Sequence, residues 1–297
     1  MQSVLICILL LIVILCIGII YHDTHHFHIV RYQMTSPKLK KALRAVVLAD
    51  LHDTVYGDHN DQLLKAVKDQ KPDLILVAGD MVTADRRPDF ASAAALMKAL
   101  ACDFPVYYGM GNHESKIARH REDYDGRYEA YRQELTRAGV VFLQNESTVL
   151  SQYNMNIHGL ELEESYYRKM SRRKLPAGYM DAKAGKTKDE CFHLLIAHNP
   201  EFFSQYADWG ADLTVSGHVH GGIVRLPVLG GVISTTFRLF PKYDGGLFSE
   251  KQSFMIISRG LGSHTIPFRM FNPGECVVID MKPGEIQDVH TCKAGEI

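Results

Sequence analysis

Ser216-Gly-His-Val-His-Gly-Gly222 decides how the rest of the chain reads. It follows Asp212-Leu-Thr-Val215, an apolar run that reads as a buried strand, so His218 and His220 fall in the loop at the strand's carboxyl end. The flanking glycines let the backbone turn sharply and leave open space before the imidazoles. Alone, a glycine-rich turn with two histidines is an ordinary surface loop. Upstream, however, the same arrangement of strand and metal-type ligand recurs four more times.

Ala45-Val-Val-Leu48 leads into Asp50-Leu-His52, and Leu74-Ile-Leu-Val77 into Gly79-Asp80. Pro105-Val-Tyr-Tyr108 leads into Gly111-Asn-His-Glu114, and Leu194-Leu-Ile196 into His198-Asn-Pro200. Helical spacing separates the first strands: Asn60 to Gln70, then the Ala-rich Ala91 to Leu100. Arg127 to Ala138 is a charged amphipathic helix stopped by Gly139. Val140–Leu143 and Met155–Leu160 read as further strands, as do Phe254–Ile257 and Val277–Asp280 near the C-terminus. Glu161 to Glu190 is polar and reads as a surface excursion or lid, and Glu201 to Ala207 as a short helix.

In α/β sheets, ligand sites gather beyond the carboxyl ends of the strands. Asp50, His52, Asp80, Asn112, His113, His198, His218 and His220 can therefore converge although far apart in sequence. An isolated Asp or His at a strand end is usually a solvated or capping residue; five such ends in one chain are hard to reach by chance. Carboxylates, an amide oxygen and imidazoles without a thiolate suit borderline divalent metals such as Mn, Fe or Zn, and suit two ions better than one. A carboxylate between two cations can bridge them, and Asp80 is the natural candidate.

The order Asp-x-His, Gly-Asp, Gly-Asn-His-Glu, a lone His and Gly-His-x-His resembles the calcineurin-like metallophosphoesterases, from about Arg44 to Asp280. The tail, Gly221-Gly-Ile-Val-Arg225-Leu-Pro227, Ser258-Arg-Gly-Leu-Gly262 and Arg269-Met-Phe-Asn272, resembles their membrane-anchored bacterial branch. The resemblance implies a two-sheet α/β sandwich flanked by helices. It implies one divalent ion held by Asp50, His52, Asp80 and His220, a second held by Asp80, Asn112, His198 and His218, and His113 facing the leaving group as a general acid. Many members carry an acidic residue three positions after the bridging Asp; here that position is Thr83, with Asp85 two further on, so the partner of His113 is left open. Two cations supply hydroxide at neutral pH and neutralise phosphoryl oxygens as charge develops. Arg225 and Arg259 are candidates for a second phosphate or an anionic head group, or are ordinary surface arginines.

At the other end, Val4 to Ile20 carries no charge, which is just enough to span a bilayer. No Lys or Arg precedes it and no Ala-x-Ala follows, so an uncleaved anchor is expected rather than a signal peptide. Arg31, Lys38, Lys40, Lys41 and Arg44 follow the span, which places the catalytic domain on the cytoplasmic side by the positive-inside rule. The expected organisation is an anchor over 1–21, a juxtamembrane linker over 22–43 containing His22, His25, His26 and His28, and a phosphoesterase domain over 44–297. A chain begun near Arg31 is then expected to be soluble and active.

The 297 residues carry 33 Lys and Arg against 34 Asp and Glu, a net charge of −1. That balance gives no basic groove, so neither nucleic acid nor a nuclease activity is expected. The six cysteines lack CxxC spacing and read as reduced thiols. The expected activity is hydrolysis of a phosphodiester, phosphomonoester or pyrophosphate, with a lipid or a nucleotide-linked acyl sugar such as UDP-2,3-diacylglucosamine as one option. The competing reading is a membrane-tethered binding module that keeps the fold without catalysis.

Overall fold

Leu43–Leu48 shows how the chain builds its layers: Val46 and Leu48 face one way, Ala45 and Val47 the other, and all are buried. A strand apolar on both faces must be covered on both sides. The computed structural model describes residues 1–85, 90–168, 173–188, 190–222, 224–226, 230–233, 239–263, 269–285 and 290–292. Helix α1 (Gln2–His25) precedes β1 (Phe27–Ser36) and β2 (Leu43–Leu48). Then come α2 (Asp61–Asp69), β3 (Leu74–Val77), α3 (Ala91–Ala101), β4 (Val106–Gly109), α4 (Asn112–Arg119), α5 (Arg127–Arg137) and β5 (Val140–Leu143). The second half holds β6 (Glu146–Leu150), β7 (Met155–Leu160), α6 (Tyr179–Ala184), β8 (Phe192–Ala197), α7 (Phe203–Trp209) and β9 (Leu213–Ser216). The hairpin β10 (Val224–Leu226) and β11 (Gly230–Ile233) follows, then β12 (Gly246–Glu250), β13 (Ser253–Ile257), β14 (Gly274–Pro283) and β15 (His290–Cys292).

One sheet has seven strands in the order β15-β1-β14-β2-β3-β4-β5, the other six in the order β12-β13-β9-β8-β7-β6. Ala45, Leu76, Tyr107 and Val277 of the first pack against Ile157, Leu194, Ile196 and Val215 of the second. On its outer face the first sheet is covered by α2, α3 and α5 through Val67, Met97 and Leu135. The second is covered by α6 and α7 through Met180, Tyr206 and Trp209. This is the expected helix-flanked two-sheet sandwich. Each fully buried aliphatic side chain contributes about 1.5–3 kcal/mol.

Two sequence expectations change. The linker read over 22–43 is largely a strand: β1 pairs with β14 in parallel from Phe27↔Gly274 to Ser36↔Pro283. Arg31 hides the strand in the sequence, yet its guanidinium is matched inside the fold by Asp280 at 3.1 Å and Gln70 at 2.6 Å. A chain begun at Arg31 would cut β1 in half. Leu162, Leu175, Met180 and Ala184 of the segment 161–190 are buried over the second sheet, so it is more than a surface excursion. Helix α1 is 24 residues, about 36 Å long, with a mean hydropathy of 3.5 and none of its most apolar window buried, so it is long and apolar enough to cross a membrane.

Candidate metal centre

The loops after β2, β3, β4, β8 and β9 meet at one end of the sandwich, the first three from one sheet and the last two from the other. The loops of the first sheet are stitched together by their backbones. Asp50 N–H donates to Gly79 O at 2.9 Å, and His52 N–H to Asp80 O at 3.2 Å. To turn their side chains inward, Asp50, His52, Asp80, His218 and His220 adopt left-handed backbone angles, φ 48° to 71°. Such angles cost roughly 1–2 kcal/mol each for non-glycine residues and persist where surrounding structure imposes them.

Glu114 imposes much of it. Its buried carboxylate accepts the N–H groups of Asp80 at 2.9 Å, Met81 at 2.7 Å and Gly111 at 3.1 Å, and the Tyr108 hydroxyl at 2.8 Å. Burial, with the charge of Asp80 nearby, pushes its pKa up to about 7. Gly111 is required by close approach: a Cβ there would stand 2.8 Å from the carboxylate carbon of Asp80.

The donor atoms form overlapping groups. Asp50, His52 and His220 make one and Asp80, His198 and His218 another, with ligand atoms within 4.8 Å of one another in each; His52, Asp80 and His113 bridge them. Asp80 Oδ2 lies 3.0 Å from His198 Nε2 and 3.8 Å from His52 Nε2. Asp50 Oδ1 lies 3.4 Å from His220 Nε2. The Nε2 atoms of His52 and His220 are 3.2 Å apart. The far ring nitrogens are fixed from behind, His198 Nδ1 by Ala78 O at 2.6 Å and His220 Nδ1 by Gly262 O at 3.1 Å, which leaves Nε2 of each aimed inward. Asn112 Oδ1 is buried and has no hydrogen-bond partner among the described residues. An orphaned buried acceptor is costly, and beside converging imidazoles and carboxylates it is what a divalent cation would satisfy. The donor set fits two such ions.

The electrostatics agree. Burial pushes Asp50 up to about 7, with Asp80 adding to the rise against the pull of His198. Burial would raise Asp80 too, but His198 and His113 hold it well below the usual carboxylate range. His198, which burial alone would lower, is raised to about 10 chiefly by Asp80.

His113 sits in this group without duplicating a ligand. Its N–H donates to Asp80 Oδ1 at 2.8 Å and its Nε2 is 4.0 Å from Asp80 Oδ2. The partner left open by Thr83 is a backbone group: Ala84 N–H donates to His113 Nδ1 at 2.8 Å, while Thr83 Oγ1 lies 3.3 Å from His52 Nδ1. Burial lowers the pKa of His113. Arg225 and Arg259 are already engaged with carboxylates, Arg225 with Asp244 at 2.9 Å and Arg259 with Glu275. Sequence reading missed Tyr167, whose ring packs edge-on against His218 at 5.1 Å. Nothing in its local sequence separates it from neighbouring Tyr166.

Comparison with known proteins places this geometry. The calcineurin-like phosphoesterase family model matches residues 43–222. Phosphodiesterase YaeI of Escherichia coli is 27% identical over 253 residues, 82% of this chain and 84% of that protein. The uncharacterized metallophosphoesterase YkuE of Bacillus subtilis is 25% identical over 245 residues, 80% and 79% of the two chains. UDP-2,3-diacylglucosamine pyrophosphatase LpxG of Chlamydia muridarum is 27% identical over a shorter stretch of 143 residues, 46% of this chain and 40% of that one. The match to the family model runs from the start of β2 to the Gly-Gly that ends the His218–His220 turn, and the chain belongs to the calcineurin-like phosphoesterases, metal-dependent hydrolases of phosphate esters.

Proposed function

We propose that this chain is a membrane-anchored phosphohydrolase that cleaves a phosphodiester or pyrophosphate bond in a lipid-borne or nucleotide-linked substrate, with two divalent ions, Mn, Fe or Zn, as cofactors. The observation that carries the reading is that Asp80 stands between two donor groups, so one carboxylate serves both. Asp50, His52, Asp80 and His220 hold one ion, and Asp80, Asn112, His198 and His218 the other. When bound, the ions activate water and offset charge on the phosphoryl oxygens.

The remaining groups position and donate. With Nδ1 engaged by the Ala84 amide, a neutral His113 carries its proton at Nε2, on the side of Asp80. From there it can donate to a leaving oxygen. The Tyr167 ring forms a wall beside His218. α1 supports the anchor and hence a lipid-borne substrate, and the basic residues after it support a cytoplasmic site. The names of YaeI and LpxG support the diester and pyrophosphate classes.

The test is the full-length protein in detergent, loaded with Mn²⁺ and assayed on p-nitrophenyl phosphate, bis(p-nitrophenyl) phosphate and a UDP-linked diacyl sugar. Metal-dependent cleavage of the diester or the pyrophosphate is expected. Metal uptake with no hydrolysis of any of the three would leave a binding module instead.

A further inference from the structure

The last turn of α1 is built into the domain rather than hanging from it. Asp23 is 6% exposed and its Oδ2 accepts the Asn272 N–H at 2.9 Å. Thr24 Oγ1 accepts the Arg269 N–H at 3.1 Å. A carboxylate at a helix C-terminus is disfavoured by the helix dipole, and burial adds to that cost. It is kept here by His22 Nδ1, 3.1 Å from its Oδ1, and by a backbone donor from far along the chain.

That donor's own segment reaches the metal centre. Asn272 Nδ2 donates to the backbone carbonyl of His220 at 2.6 Å. The buried Arg269 guanidinium donates to Gly262 O at 2.5 Å and Arg259 O at 3.0 Å. Gly262 O also accepts from His220 Nδ1. His220 is therefore gripped at its carbonyl by Asn272 and at its ring by Gly262, while Asn272 and Arg269 are gripped in turn by Asp23 and Thr24. His220 needs the grip, since its φ is 51°. Neither Asp80 nor His198, which face the second donor group, is tied to α1 by a described hydrogen bond.

We propose that the last turn of α1 is a positioning element for one metal site, with Asp23 holding His220 in place through Asn272. This rests on the dimetal reading above. It makes the apolar helix part of the metal centre's support as well as a tether. A purely structural Asp23 would weaken the fold evenly. A positioning Asp23 weakens the ion held by Asp50, His52 and His220 and spares the one held by His198 and His218.

The experiment is Mn²⁺ titration of the full-length protein in detergent by calorimetry, with metal content read in parallel. Wild type should take up two ions. Asp23→Ala should weaken one of them about tenfold, the low end of the range for residues behind a ligand, and leave the other within twofold. Asp23→Asn keeps an acceptor for the Asn272 amide and should restore the loss. Asn272→Asp, which removes the donor to His220 O, should reproduce it and carries the test if Asp23→Ala does not fold. Two unaltered affinities in Asp23→Ala or Asn272→Asp, or an equal drop in both, overturn the positioning role. A wild type that takes up fewer than two ions overturns the dimetal reading and this proposal with it.

Discussion

Gly111→Ala tests whether the site depends on the placement of Asp80 to within an ångström. Gly111 has φ −92°, so alanine fits the backbone there without strain. The difficulty is space. The new Cβ would stand 2.8 Å from Asp80 Cγ, with the Asp80 amide nitrogen and Oδ1 closer still. Carbon atoms prefer about 3.5–4.0 Å, so the carboxylate must move by roughly 0.7–1.2 Å. It has little room, because Oδ1 holds the His113 N–H and Oδ2 faces His198. The Gly111 backbone cannot yield easily either, since Glu114 binds both its N–H and that of Asp80. Overpacking of this kind costs about 1–3 kcal/mol of stability, and a displacement near 1 Å costs about 10²-fold in rate. Metal content at graded Mn²⁺ should fall and hydrolysis of bis(p-nitrophenyl) phosphate should drop about a hundredfold. Gly139→Ala is the control: φ is +99° with no atom within 4 Å of the new Cβ, so it should cost about 1–2 kcal/mol of stability through backbone strain alone and leave rate and metal untouched. A Gly111→Ala enzyme that binds both ions and turns over within threefold of wild type would refute the reasoning.

Asp80→Asn should lose more bound metal than His52→Ala or His198→Ala, measured on the same preparation, because it serves both groups; equal small losses from all three would remove the bridging role. His113→Ala should keep its metals, lose about 10²-fold or more on an alkyl phosphodiester and much less on the p-nitrophenyl ester, whose leaving group needs no proton; equal losses would leave phosphate binding as its role. His158 is buried, with Nδ1 bonded to Ala184 O, and burial then His193 lower its pKa to about 4. The unfolded chain takes up that proton first as pH falls, so this stability is full above about pH 6.5 and lost towards pH 4, up to about 3 kcal/mol. Denaturant unfolding of wild type and His158→Asn across that window should converge as pH falls, and a constant difference would count against it. A chain begun at Arg31 should aggregate or unfold in circular dichroism, whereas one begun at Tyr21 should fold; equal behaviour would show β1 to be dispensable.

The candidate ligands were legible because each is announced locally, by an apolar run that ends in a carboxylate, amide or imidazole. Their supports were not. Glu114 stands inside a recognisable motif, yet its task of gathering three amides is visible only when the loops after β3 and β4 lie together. The Ala84 amide behind His113 has no side-chain signature at all. β1 escaped because Arg31 and Gln33 interrupt its apolar pattern, and its partner β14 lies almost at the other end of the chain. Arg269 and Asn272 were noticed as a tail pattern, but their grip on Gly262 and His220 is a long-range fact.

The pairing of β1 with β14 and β15 also sets an order of events during synthesis. β1 is made directly after α1, and both strands that flank it, β14 and β15, follow more than 200 residues later. At roughly 5–20 residues per second, the intervening chain takes on the order of 10–50 s to emerge. For that interval β1 has two open edges, each a template for unwanted pairing, close to wherever α1 has come to rest. Lys38, Lys40, Lys41 and Arg44 follow β1 directly, and like charges of this kind oppose the close approach of neighbouring chains while β14 and β15 are still to come.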